Sequence, residues 1–142
     1  YYFHNRIDYG FNKNKNEKVS DMGWELYPEG LYHVLRDLKQ FQKPIYITEN
    51  GLADARDEHR AWFIKEHIRY MKKAMEEGAD VRGYLHWSLL DNFEWDKGFW
   101  PRFGLVEVDY QPEADPPRAG KTMERKIRPS AWEYKKIIEG GL

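Results

Sequence analysis

The sequence contains no cysteine. A disulfide framework and a thiolate metal site are both excluded by that absence, which also fits a cytoplasmic protein. No apolar stretch approaches the roughly 20 residues that span a bilayer. The opening Tyr1-Tyr2-Phe3-His4-Asn5-Arg6 lacks an initiator Met and has no signal-peptide layout, so a membrane partner is not indicated. Charge of one sign is also lacking: 23 Lys and Arg stand against 24 Asp and Glu, for a formal net charge of -1. A nucleic-acid partner, which needs a basic excess, therefore has no support. His67 and His86 fall at no metal-ligand spacing and read as packing residues, so neither a metal nor another cofactor is expected.

What is present is an ordinary globular balance over 142 residues, 41% hydrophobic and 33% charged, enough for one packed core. Aromatic residues are the outlier at 16%, with 6 Trp and 10 Tyr. Such rings line sugar-binding clefts, where the C–H faces of pyranoses pack on them, but a large aromatic core gives the same count.

The periodicities alternate between strand and helix. A strand-like start, Tyr1 to Ile7, runs into the polar loop Asn12 to Asn16. Leu31, Val34, Leu35, Leu38 and Phe41 then repeat at helical spacing, predicting a helix over 27–42 with Pro28 in its first turn. Ile45-Tyr46-Ile47-Thr48 reads as a buried strand ending at Glu49. Ala61, Ile64, Ile68, Met71 and Met75 mark the next helix, with Asp57 as its N-cap and Gly78 as its stop. Strands follow at Val81 to Trp87 and at Leu105 to Val108. A last helix is expected from Ser130, whose Glu133 three residues on completes a capping box, to Gly140-Gly141. The pattern is that of an α/β fold with parallel strands. It counts about three units, whereas a closed (β/α)₈ barrel takes eight and about 250 residues. A small open domain and the last part of a barrel are both compatible with it.

Thr48-Glu49-Asn50-Gly51 places a carboxylate at the C-terminal end of a strand, the edge where parallel folds bind ligands. Taken alone, four residues of this kind favour a Glu that merely ends the strand. A longer run changes the weighing: His86-Trp87-Ser88-Leu89-Leu90-Asp91-Asn92-Phe93-Glu94-Trp95, then Gly98-Phe99 and Arg102-Phe103-Gly104-Leu105 through Tyr110. Together with Tyr46 to Gly51 upstream, it closely resembles glycoside hydrolase family 1. The likeness reaches both ends, through Tyr1-Tyr2 and Arg128-Pro129-Ser130-Ala131, and it is closer to archaeal members than to plant ones.

The resemblance implies a (β/α)₈ TIM barrel of which residues 1–142 are the C-terminal part, about strands six to eight with their helices. It implies a retaining β-glycosidase acting on β-glucosides or β-galactosides, with Glu49 as nucleophile and Tyr2 as the tyrosine that hydrogen-bonds it. Trp87 corresponds to the platform under the sugar, Glu94 and Trp95 to the pair that binds sugar hydroxyls, and Phe103 to a nearby pocket wall. The chemistry suits these residue types. The nucleophile must stay ionised, and a Tyr hydroxyl donating to it favours the anion. A carboxylate accepts from two hydroxyls at once, and Trp offers a rigid apolar face. Relatives that act on 6-phosphorylated sugars typically lack a Glu at the position of Glu94.

The family's acid/base Glu lies in a Thr-x-Asn-Glu-Pro segment, and this sequence has none. The acid is therefore expected on an upstream part of the same barrel, which is the partner this chain needs besides its β-glycoside substrate. Alone the chain is expected to be inactive. Two other readings stay open: a non-catalytic carbohydrate-binding remnant, and a half-barrel that associates with a partner half. Assembly into oligomers is left open as well.

Overall fold

The computed structural model describes residues 7–8, 11–12, 18–110 and 123–140. Two short strands, β1 (Ile7–Asp8) and β2 (Phe11–Asn12), pair antiparallel. The remainder of the expected opening strand, Tyr2 included, lies outside the described residues.

Pro28, at φ -61°, has a helical backbone angle and no amide to leave unpaired. Directly after it comes α1 (Glu29–Leu38). This helix is shorter than the spacing predicts, because Lys39–Phe41 tighten into a 3₁₀ turn that ends at Gln42 in the left-handed region, φ 50°. Leu31 and Leu35 are buried as expected, whereas Leu38 and Phe41 are exposed.

The centre of the fold is a β-α-β unit: β3 (Ile45–Asn50), α2 (Arg60–Glu76) and β4 (Val81–His86), with β3 and β4 parallel. One core cluster joins Leu31, Tyr32 and Leu35 of α1 to Ile47, Ala74 and Val81. A second joins Leu26, Leu52, Phe63, Ile64, Ile68 and Leu105, against which Tyr134 and Ile137 pack. Those two belong to α3 (Pro129–Gly140), which follows an antiparallel pair, β5 (Val106–Val108) and β6 (Arg125–Ile127). Along β3 and β4 the residues Tyr46, Thr48 and Leu85 stay exposed. An apolar strand face of this kind normally has a cover.

Two expected caps are replaced by longer-range ones. Asp57 does not cap α2; the amides of Glu58, His59 and Arg60 instead donate to the Asp54 carboxylate at 3.2, 2.8 and 3.0 Å. Asp57 is used elsewhere, because the amide and hydroxyl of Ser130 donate to its carboxylate at 2.8 and 2.6 Å. An acid from a distant loop thus closes the start of α3, where a carboxylate also meets the positive end of the helix. The Ser130–Glu133 capping box does not form, and Glu133 pairs with Lys136 at 2.6 Å.

Candidate active site

Glu49 is the penultimate residue of β3 and is exposed. It stands at the C-terminal edge of the parallel pair, where side chains of successive strand ends converge. The edge is held rigidly from the next residue on. Asn50 is buried, its Oδ1 accepts from the Tyr84 hydroxyl at 2.7 Å, and its carbonyl accepts from the Trp87 amide at 3.0 Å. Burial pushes the Tyr84 phenol far up from its ordinary value, so it remains the donor in that bond. At Gly51 a Cβ would fall 1.7 Å from the Trp87 carbonyl oxygen, so no larger residue fits where the two strand ends touch.

The chain after β4 makes a wide excursion and returns. Its base is closed by the Ser88 amide on the Phe103 carbonyl (3.2 Å), the Leu105 amide on the Ser88 carbonyl (2.9 Å) and the Val106 amide on the Leu89 carbonyl (2.9 Å). The Trp87–Ser88 peptide is cis. At the far end, the Glu94 amide donates to the Gly98 carbonyl (2.7 Å) and the Lys97 amide to the Glu94 carbonyl (2.8 Å), a turn in which Trp95 takes φ 45°.

This turn separates Glu94 from Trp95 in exposure, 8% against 78%. The Glu94 carboxyl is raised above its ordinary value, first by burial and then by the negative charges of Glu49 and Asp96. Glu49 and Glu94, predicted to share a site, are therefore within electrostatic reach of each other. Trp87 is half-buried, with its indole Nε1 buried and without a partner among the described residues. Phe103, on the returning limb, is buried at 1% exposed. Tyr2 is outside the described residues.

The sequence reading missed the charged residues that tie the excursion down. Asp91 and Arg128 form a buried ion pair with two contacts, 3.0 and 3.1 Å, and Arg102 approaches the same carboxylate at 3.4 Å. Arg60, fully buried, pairs with Asp57 and donates from Nη2 to the carbonyls of Asp54 (2.6 Å) and Arg102 (2.8 Å). It thus binds the loop after β3 to the returning limb after β4. The available signal was the setting of two charges among apolar or rigid neighbours: Leu89-Leu90-Asp91 and Ile127-Arg128-Pro129.

Among the described residues no three His, Asp or Glu side chains group as a metal site, and no helix is long and apolar enough to cross a membrane. What the arrangement offers chemically is an exposed carboxylate, a second carboxyl with raised proton affinity, and an exposed indole, Trp95, next to the latter in sequence.

A family model described as glycosyl hydrolase family 1 matches residues 3–141. The β-galactosidase of Pyrococcus woesei is 50% identical over 122 residues, covering 85% of this chain and 24% of that protein. The β-glucosidase A of Thermotoga maritima is 40% identical over 129 residues, 83% of this chain and 27% of its own length. Among solved structures, the hyperthermophilic β-glucosidase of Pyrococcus furiosus superposes with a TM-score of 0.80 at 46% identity, over 93% of this chain and 26% of that one. The chain spans about a quarter of the length of the relatives it matches.

Proposed function

Given that this chain belongs to glycosyl hydrolase family 1, we propose that residues 1–142 supply the C-terminal strands of a (β/α)₈ barrel in a retaining β-glycosidase, with Glu49 as the nucleophile. The observation that carries this is the position of Glu49 at the C-terminal end of β3, coupled electrostatically to Glu94 on the excursion after β4. The exposed face of Tyr46 and Leu85 supports the rest of the reading: strands upstream of this chain would cover it and bring the acid.

In this reading Glu49 attacks the anomeric carbon of a β-glycoside from the α face while a protonated carboxyl about 5–5.5 Å away donates to the leaving oxygen. The glycosyl–enzyme ester is then hydrolysed, with that second carboxyl acting as base, and β configuration is restored. Trp87 stacks under the sugar, and Glu94 accepts its 4- and 6-hydroxyls beside Trp95. The raised proton affinity of Glu94 also favours a second reading, in which Glu94 is itself the acid. Trapping decides the nucleophile. The complete enzyme, this chain with its upstream strands, is treated with an activated 2-deoxy-2-fluoro-β-glucoside and digested. The peptide carrying Tyr46 to Gly51 should gain the fluoroglucosyl mass; a label on any other carboxylate overturns the assignment.

Glu94 also sets which sugars enter. At about 4 Å and an effective dielectric near 20, each unit of like charge facing it costs about 4 kcal/mol, and a sugar 6-phosphate carries close to two. An aryl 6-phospho-β-galactoside should therefore show a kcat/KM at least about 10²-fold below that of the aryl β-galactoside. Because a carboxylate accepts from a 4-hydroxyl in either orientation, both glucoside and galactoside should be hydrolysed. A phosphorylated substrate with the higher constant would remove Glu94 from this role.

A further inference from the structure

We propose that Asp91, gripped by Arg128, is a positioning residue: its buried carboxylate holds the excursion after β4 so that Glu94 meets the sugar hydroxyls at a fixed place. The inference rests on the reading of Glu94 as a hydroxyl acceptor, and it assigns the means by which that acceptor is aimed.

Glu94 needs such a means. Among the described residues no side chain donates a hydrogen bond to its carboxylate, and its own turn is closed only on itself, from Glu94 to Gly98. Its placement is therefore inherited from whatever fastens the excursion to the body of the protein. Three residues before it, Asp91 is 1% exposed and saturated with partners. Oδ1 accepts from the Gly104 amide at 2.8 Å and from Arg128 Nη1 at 3.0 Å. Oδ2 accepts from Arg128 Nη2 at 3.1 Å, the Val108 amide at 3.3 Å and Arg102 Nη1 at 3.4 Å. The Asp91 backbone is engaged too, its amide on the Val106 carbonyl and its carbonyl by the Tyr110 hydroxyl.

Arg128 grips both limbs at once. Besides Asp91 on the outgoing limb, its Nη1 donates to the Gly104 carbonyl at 2.8 Å and its amide to the Leu105 carbonyl at 3.0 Å on the returning limb. Gly104 has no room for a side chain, since a Cβ there would lie 2.3 Å from the Asp91 amide nitrogen. The residue that enters α3 is thus the rivet of the sugar-gripping segment. A buried ion pair adds little net stability over apolar packing of the same volume, whereas its many directional bonds restrict the geometry. Orientation is where such restriction matters, because an offset of about 1 Å in a contact group can cost about 10²-fold in rate.

The test compares kcat/KM for aryl β-galactoside with that for aryl β-fucoside, which has the same 4-hydroxyl and no 6-hydroxyl. The ratio of the two constants is independent of how much of a preparation is folded. In the complete enzyme, Glu94→Gln should lower the ratio, and Asp91→Asn and Arg128→Lys should lower it as well, by roughly tenfold. The paired Asp91→Asn/Arg128→Gln variant, which removes both members of the buried pair together, should melt closer to the parent and still have the lowered ratio. If Glu94→Gln lowers the ratio while the Asp91 and Arg128 variants keep the parental value, the pair is merely structural and the proposal is overturned. If Glu94→Gln itself leaves the ratio unchanged, the role of Glu94 fails and the proposal falls with it.

Discussion

Replacing Glu49 by glycine in the complete enzyme is expected to lower hydrolysis by about four decades or more, a barrier increase of about 5.4 kcal/mol, and added azide is expected to restore turnover. The substitution removes the proposed nucleophile and leaves a small gap at the end of β3, on the side from which the proposed reaction approaches the anomeric carbon. Azide fits such a gap, carries the charge the carboxylate carried, and needs no deprotonation. It displaces the aglycone in a single step, so the product should be the α-glycosyl azide. The same experiment separates the two carboxyls of this chain. A β-glycosyl azide from the Glu49 variant would reassign Glu49 as acid/base, because that product arises when azide intercepts an intact glycosyl–enzyme. A β-azide from the corresponding Glu94 variant would identify Glu94 as the acid.

Acid is expected to destabilise the fold well before its carboxylates titrate. His67 is 1% exposed, its ring lies 3.8 Å from that of Phe63, and Nδ1 bonds the Phe63 carbonyl at 2.8 Å, which makes Nδ1 the protonated nitrogen. Its Nε2 and both ring nitrogens of His86 are buried without partners among the described residues. Burial lowers His67 from 6.5 to about 4. Burial, and then the charges of Arg60 and His67, lower His86 from 6.5 to about 3. Both are neutral in the folded protein at pH 7. Below about pH 6.5 the unfolded chain binds two protons that the folded chain refuses, so unfolding free energy falls with pH from there down to about pH 3. If both groups act fully, the loss is on the order of 8 kcal/mol, comparable to the whole stability of a typical domain. Melting temperatures recorded from pH 8 to pH 4 should fall most steeply below pH 6. Replacing His67 and His86 together by Gln should flatten that slope, and a parent whose melting temperature does not change between pH 7 and pH 4.5 would contradict the account.

Local periodicity carried the elements that pack against their sequence neighbours. Ile64 and Ile68 recur at helical spacing and are buried in α2, and the β-branched run at Ile45 to Thr48 is β3. The carboxylate at the end of that strand was legible for the same reason, since a strand end is a local event. Long-range connections were not. Nothing around Asp57 indicates that its partner is Ser130, 73 residues on, and a capping rule that looks only three residues ahead assigns Asp57 to the wrong helix and gives Ser130, at the right one, the wrong partner. The Asp91–Arg128 pair spans 37 residues and hides for a different reason: each charge stands beside apolar or rigid neighbours, but in a sequence with 33% charged residues that setting does not name its partner. Helix periodicity likewise cannot tell Leu35 from Phe41, because it describes a face and not how far the neighbouring element extends along it.

The contact at Gly51 bears on how such a site can be redesigned. With a backbone oxygen of Trp87 1.7 Å from where a Cβ would stand, the turn after Glu49 and the end of β4 are a single unit, and a substitution at Gly51 must displace Trp87 along with Glu49. Combinatorial libraries that vary residues near Glu49 should therefore hold Asn50 and Gly51 constant and place their diversity at 95–97, where Trp95, Asp96 and Lys97 are all exposed. Variation there alters the reach of the turn beside Glu94 while the shared seam of the two strand ends stays intact.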